Sequence, residues 1–130
     1  PSAAGATVAR GLVVLVEESE DLRMSIRDML MAQGHLVLEA TSIHEAEALL
    51  ASVPDIAYVL SDIHLSGART GLDLVQITQL PLTLMTSLPV NDPLHQAAAQ
   101  RGAFLHKPFS EDALRAALAK AEQTQDAAHE

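Results

Sequence analysis

The sequence predicts an α/β fold, a doubly wound parallel sheet of five strands. Three observations point there. Short runs of Leu, Val and Ile, too dense to alternate with polar residues, read as strands buried on both faces. Between them lie segments of helical periodicity, opened by Ser, Asn or Asp and closed by Gly or Pro. One strand–helix unit recurs roughly every 20 to 25 residues, and such alternation implies a parallel sheet with helices on both faces.

LVVLV (12–16) is the first strand, and it runs straight into Glu17 and Glu18. Ser19 can cap a helix to about Gln33, with Leu22, Ile26, Met29 and Leu30 on its apolar face and Gly34 stopping it. HLVLEA (35–40) is a short second strand. Ser42 caps a second helix that turns Ile43, Ala46, Leu49 and Leu50 inward, with Pro54 beyond its end. IAYVLSD (56–62) is the third strand, apolar until it ends on a carboxylate. IHLSGARTG carries two glycines and reads as a loop into a short helix, LDLVQIT. PLTLMTS (81–87) is the fourth strand. Asn91 or Asp92 caps the next helix, with Pro93 in its first turn and Gly102 ending it. AFLH (103–106) is the fifth strand, KPFS (107–110) a turn, and EDALRAALAKAE the last helix. Right-handed crossovers leave few topologies for such a chain. The commonest is the flavodoxin-like (βα)5 arrangement, strand order 2-1-3-4-5.

At 130 residues the chain suits one domain, expected over 11–123. Residues 1–10 read as a linker or cloning remnant, and 124–130 as a tail that frays. Pro1 in place of methionine suggests a piece of a longer protein. No apolar run approaches the length of a membrane span, no signal-peptide layout opens the chain, and there is no cysteine. A cytoplasmic location is expected. The net charge of −9, with no segregated basic patch, argues against nucleic acid and anionic lipid. Only Tyr58, Phe104 and Phe109 are aromatic, too few for a base-stacking platform.

Ligands of such sheets bind outside the carboxyl ends of the strands, where the strand order reverses. That rule gathers Glu17, Glu18, Asp62, Thr86 and Lys107 on one rim. Three carboxylates in one shallow pocket raise each other's pKa values unless a cation sits among them. Without cysteine, and with His35, His44, His64, His95, His106 and His129 lacking ligand spacing, hard oxygen donors favour Mg²⁺. Magnesium suggests phosphoryl chemistry, with Asp62 as the attacking carboxylate and Thr86 and Lys107 receiving the phosphoryl oxygens. Taken singly, Asp62 would pass for a polar strand end and Lys107 for a solvated turn lysine. Their convergence on one rim is what sets them apart.

LVVLVEESEDLR, YVLSDIHLSGARTGLDLV, LMTS and FLHKPF, in this order between residues 12 and 122, resemble the receiver domain of two-component response regulators. The resemblance implies that Asp62 accepts a phosphoryl group from a histidine of a partner kinase or histidine phosphotransfer domain. It implies that Glu18 holds Mg²⁺ directly, Glu17 through water, and the backbone carbonyl of His64 adds a further ligand. Thr86 matches the switch hydroxyl, Phe104 the aromatic switch, and Lys107 the phosphate-binding lysine. Lys107–Pro108 matches a bond that is cis in the family. The domain would then be a phosphorylation-controlled switch, not an enzyme in its own right. Its fourth helix, fifth strand and fifth helix would form the face for a downstream protein, with a homodimer as one assembly. A linker ahead of the domain and a short tail after it favour the C-terminal receiver of a hybrid sensor histidine kinase over a free-standing regulator.

Three features depart from the family pattern. Glu18 stands where aspartate is usual, and its extra methylene must displace carboxylate or metal. AAAQRGAFLHKPF is about two residues short, and SGARTG is longer than the common Pro-Gly turn. Rival readings fare worse. A flavodoxin-like cofactor binder needs a phosphate-cradling loop where this chain has EESED. A magnesium-dependent phosphatase needs a second acid/base carboxylate and a cap, and SDIHL offers His64 instead. A pseudo-receiver, an interaction module that is not phosphorylated, is the remaining alternative: Glu18 argues weakly for it, and the retained Asp62, Thr86 and Lys107 argue against it.

Overall fold

The computed structural model describes residues 11–100 and 103–129, with side chains described through Gln123. Residues 1–10, the expected linker, lie outside them. The strands β1 (Leu12–Val16), β2 (Leu36–Ala40), β3 (Ile56–Asp62), β4 (Leu82–Thr86) and β5 (Phe104–His106) form one sheet in the order β2-β1-β3-β4-β5. Every pairing is parallel. The helices are α1 (Glu20–Ala32), α2 (Ile43–Ser52), α3 (Leu74–Ile77), α4 (Pro93–Ala99) and α5 (Glu111–His129). The predicted α/β class, strand order and flavodoxin-like winding are those observed.

Side-chain alternation along the strands builds two cores. Val13 and Leu15 of β1, Tyr58 and Leu60 of β3, Met85 and Leu105 meet Ile26 and Leu30 of α1 and Leu114 and Leu118 of α5. On the opposite face Val14, Val16 and Val59 meet Ile43 and Ala46 of α2 and Leu74 of α3. Ile63, Leu84 and Ala98 extend this layer under α4. Each fully buried Leu, Ile or Val contributes about 1.5–3 kcal/mol, so the sheet is held mainly by these two apolar layers.

Local signals set the helix ends. Ser19 caps α1 by accepting from the Leu22 amide, and Ser42 caps α2 by accepting from Glu45. Asp92, rather than Asn91, caps α4, with Pro93 in the first turn.

Four expectations need correction. Leu22 is not inward-facing: it is 44% exposed, because it sits in the first turn of α1, beyond the carboxyl rim of the sheet. The expected helix over 72–78 is a 3₁₀ turn, Gly71–Asp73, followed by one α-helical turn. Thr70 and Asp73 close it with a reciprocal capping box, which draws the start back to Gly71. Helix α4 ends at Ala99 with Gln100 as its cap, short of Gly102, which is outside the described residues. The backbone of α5 stays helical to His129, past the point where fraying was expected. Apolar periodicity is lost there, but the Ala and Gln of that segment are good helix formers.

Candidate functional site

Register carries the polar residues to one rim. Val16 pairs with Ala40 and Ser61, Asp62 with Met85, and Thr86 with His106. The chain then leaves the sheet, and the residues at these exits face a common space above it.

Glu17 is the first residue past β1, and its amide still donates to the Ala40 carbonyl at 3.0 Å. That bond holds the side chain in the interior, where Glu17 is only 2% exposed. Its Oε2 accepts from the Ser19 amide at 3.1 Å and its Oε1 from Lys107 Nζ at 3.0 Å. Asp62, ending β3, is 5% exposed, and its Oδ2 accepts from the same ammonium at 2.8 Å. Lys107 is delivered by β5, whose extension is fixed by a bond from the Lys107 amide to the Thr86 carbonyl at 2.7 Å. One ammonium thus bridges two buried carboxylates from three different strand ends.

Burial is the main cause that pushes the Asp62 carboxyl above its ordinary range. Lys107 pulls the other way, while the charge of Glu17 adds to the rise. For Lys107 burial works against the charge, but the bonds to Asp62 and Glu17 outweigh it and raise its pKa. The arrangement keeps a carboxylate poorly solvated and next to a fixed positive charge. Such a group is suited to form a bond to an electrophile whose own negative oxygens Lys107 can meet.

Thr86 is fully buried at the end of β4, and its Oγ1 accepts from the Leu88 amide at 3.0 Å. The Phe104 ring lies edge-to-face on His95 of α4, centroids 4.7 Å apart and planes at 72°. His106 follows, 5.5 Å from the His95 ring. Lys107–Pro108 is cis. His64 is exposed in the loop after β3.

Glu18 does not join the group. It is exposed, and both its oxygens are taken by Ser66, Oε1 by the amide at 2.6 Å and Oε2 by the hydroxyl at 2.5 Å. The Ser66 hydroxyl and then its amide lower the pKa of Glu18 from the ordinary carboxylate value. Among the described residues no three His, Asp or Glu side chains converge as a metal site would require. Glu17 and Asp62 fit a hard divalent cation, being adjacent buried carboxylates already sharing one positive charge. Glu18, expected to be a direct ligand, does not fit in this conformation, because its carboxylate is engaged elsewhere.

Several residues at the rim escaped the sequence reading. Arg23 of α1 donates to the Glu17 carbonyl at 3.0 Å and pairs with Glu39 at 2.9 Å, pinning the two-glutamate turn. Gly71 backs onto Asp62, and a Cβ there would overlap the Asp62 carbonyl. Arg69 pairs with Glu47 of α2 at 2.6 Å. Only Thr70 left a local signal, the T-x-x-D spacing of a capping box.

No family model matches the chain. It is 34% identical over 109 residues to the response regulator protein FleR of Pseudomonas aeruginosa. That alignment takes in 78% of this chain and 22% of the relative, so the chain spans well under half of FleR's length. Among solved structures it is similar to a response regulator receiver protein from Sinorhizobium medicae, with TM-score 0.75 and 19% identity over 89% of this chain and 97% of that one. It is also similar to full-length FixJ from B. japonicum, with TM-score 0.74 and 25% identity, covering 93% of this chain and 62% of that one.

Proposed function

Because this chain is a response regulator receiver domain of two-component signalling, we propose that Asp62 is its phosphoacceptor. The observation that carries the reading is the Lys107 ammonium, 2.8 Å from the Asp62 carboxylate in a buried rim site. An Asp62 oxygen would attack the phosphorus of a phosphohistidine on a partner kinase or histidine phosphotransfer domain. The O–P bond forms as the N–P bond breaks, and the imidazole leaves. Lys107 would meet the oxygens of the incoming group, and Thr86 would offer its hydroxyl by giving up its bond to Leu88.

Mg²⁺ would be held through Asp62 and Glu17, with the His64 carbonyl as a further ligand, and would supply charge neutralisation on the phosphoryl oxygens. Phe104 would turn inward as Thr86 moves, changing the face of α4, β5 and α5 toward a downstream protein or a second copy of the domain. No helix among the described residues is long and apolar enough to cross a membrane, which is compatible with action in the cytoplasm as a signalling domain.

Incubation with a small phosphodonor and Mg²⁺ tests the reading. Acid-labile phosphate should appear on the wild type and not on Asp62→Asn, whose amide is a poor nucleophile. A second reading, an interaction module that is never phosphorylated, is favoured by one observation, the engagement of Glu18 by Ser66. A wild type that takes up no phosphate would establish it.

A further inference from the structure

The loop between β3 and the 3₁₀ turn is fastened at separate points. Arg69 ties it to α2 through Glu47. Thr70 ties it to its own turn, its amide donating to Asp73 at 2.7 Å and its hydroxyl accepting from Leu72 at 3.2 Å. The third tie differs in kind. Ser66 reaches the loop after β1, 48 residues away in sequence, and binds both oxygens of one carboxylate.

Charged acceptors make the stronger hydrogen bonds, and a donor pair that matches both oxygens fixes orientation as well. A carboxylate held in this way cannot present the same oxygens to a second ligand. Glu17 and Asp62 sit deeper, on Lys107, and no third acidic group closes on them among the described residues. The longer side chain of glutamate gives Glu18 a reach that an aspartate would lack, and the loop of SGARTG places a donor pair at the end of that reach.

The geometry points to Ser66 as a positioning residue that clasps Glu18 away from the cation position. Divalent-cation affinity is then set by competition between Ser66 and the cation for one carboxylate. The inference rests on a cation bound at Glu17 and Asp62, as proposed above. The clasp also couples two loops beside Asp62, so cation binding frees the loop after β3 from the loop after β1.

Mg²⁺ titrations followed by amide resonances test this on wild type, Ser66→Ala and Ser66→Thr. Ser66 is exposed, so the variants should keep the fold, and unchanged β1 and β3 resonances at zero Mg²⁺ check that they do. Ser66→Ala should bind Mg²⁺ about three- to tenfold more tightly, the effect of one net hydrogen bond removed from the competition. Ser66→Thr, which keeps the hydroxyl, should return to the wild-type affinity. In the wild type the Ser66 amide resonance should move on Mg²⁺ addition, as it loses its carboxylate. A Ser66→Ala affinity equal to or weaker than wild type overturns the clasp and leaves the cation reading standing. No Mg²⁺ response in any of the proteins overturns both.

Discussion

Lys107 donates to Asp62 at 2.8 Å although 45 residues separate them, and the same ammonium neutralises Glu17 at 3.0 Å. Removing one member of a buried ion-paired group leaves uncompensated charge, which is worse than never having had the pair. Lys107→Ala should therefore destabilise the metal-free domain by about 3 kcal/mol at neutral pH. The loss should shrink in acid, where Asp62, whose pKa is raised chiefly by burial, takes up a proton. Urea melts of both proteins at pH 7 and pH 4 measure it. Equal stability at pH 7 would mean that the carboxylates are solvated well enough without Lys107.

The pKa shifts in this group act at the two ends of the pH scale, with the same sign. Asp62 is raised above its ordinary 3.8, chiefly by burial, so the folded state favours its protonated form. Its contribution to stability is fully present below 3.8 and is lost as pH rises through the raised value. Lys107 is raised above 10.5, so its contribution persists below that value and is lost only as pH rises through the higher one. Asp62→Asn should abolish the acid-side decline and be more stable than wild type at pH 7, on the order of 1 kcal/mol. Stability against pH for the two proteins checks the sign. Parallel curves between pH 3 and pH 7 would refute it.

Gly71 is packed on the backbone that ends β3, donating from its amide to the Ile63 carbonyl at 2.9 Å. A methyl group at this position would overlap the Asp62 carbonyl, and backbone, unlike a flexible side chain, yields only by moving the strand end. Gly71→Ala should cost about 1–3 kcal/mol and should shift the Asp62 and Ile63 amide resonances. An alanine variant with wild-type stability and unmoved resonances would show that the loop relaxes at no expense to the acceptor.

The fold was legible because its signals are local. Apolar runs bounded by Gly, Pro and capping residues marked every strand within a residue or two, and the alternation fixed the winding. Asp62, Thr86 and Lys107 were legible as a group through one rule, that the carboxyl ends of the strands share a rim. The two glutamates were not. In sequence they are identical neighbours; in space Glu17 is sealed against Lys107 while Glu18 turns out to Ser66. Their fates depend on the direction of one turn, which Arg23 fixes from α1 and Ser66 from the loop after β3. Neither contact leaves a periodicity or a spacing that the chain could reveal. Gly71 was visible as a loop glycine, but its closeness to Asp62 is a packing fact.

Thr83 lies fully buried in β4, and its hydroxyl has no hydrogen-bond partner. An unsatisfied buried hydroxyl costs free energy that a methyl group of similar size does not. Thr83→Val should stabilise the domain by about 1 kcal/mol, seen as a higher urea midpoint at unchanged slope. A lower midpoint would mean that the hydroxyl is satisfied in solution.

His95 holds the ring that the proposed switch must move. It is 8% exposed, its Nε2 has no partner, and its ring meets Phe104 edge-to-face at 4.7 Å. An inward turn of Phe104 gives up that contact, so the contact opposes the switch by about 0.5–1.5 kcal/mol, the usual worth of an aromatic pair. His95→Leu keeps the bulk of the side chain and removes both the ring contact and the orphaned nitrogen. The inward population of Phe104 should then rise by about two- to tenfold, with no phosphate present. Ring resonances of Phe104 in the unphosphorylated variant should move toward their positions in the phosphorylated wild type. If they stay at the unphosphorylated wild-type positions, the ring is held by its packing against Leu84 and Leu94 in the same cluster, and His95 has no part in setting the switch.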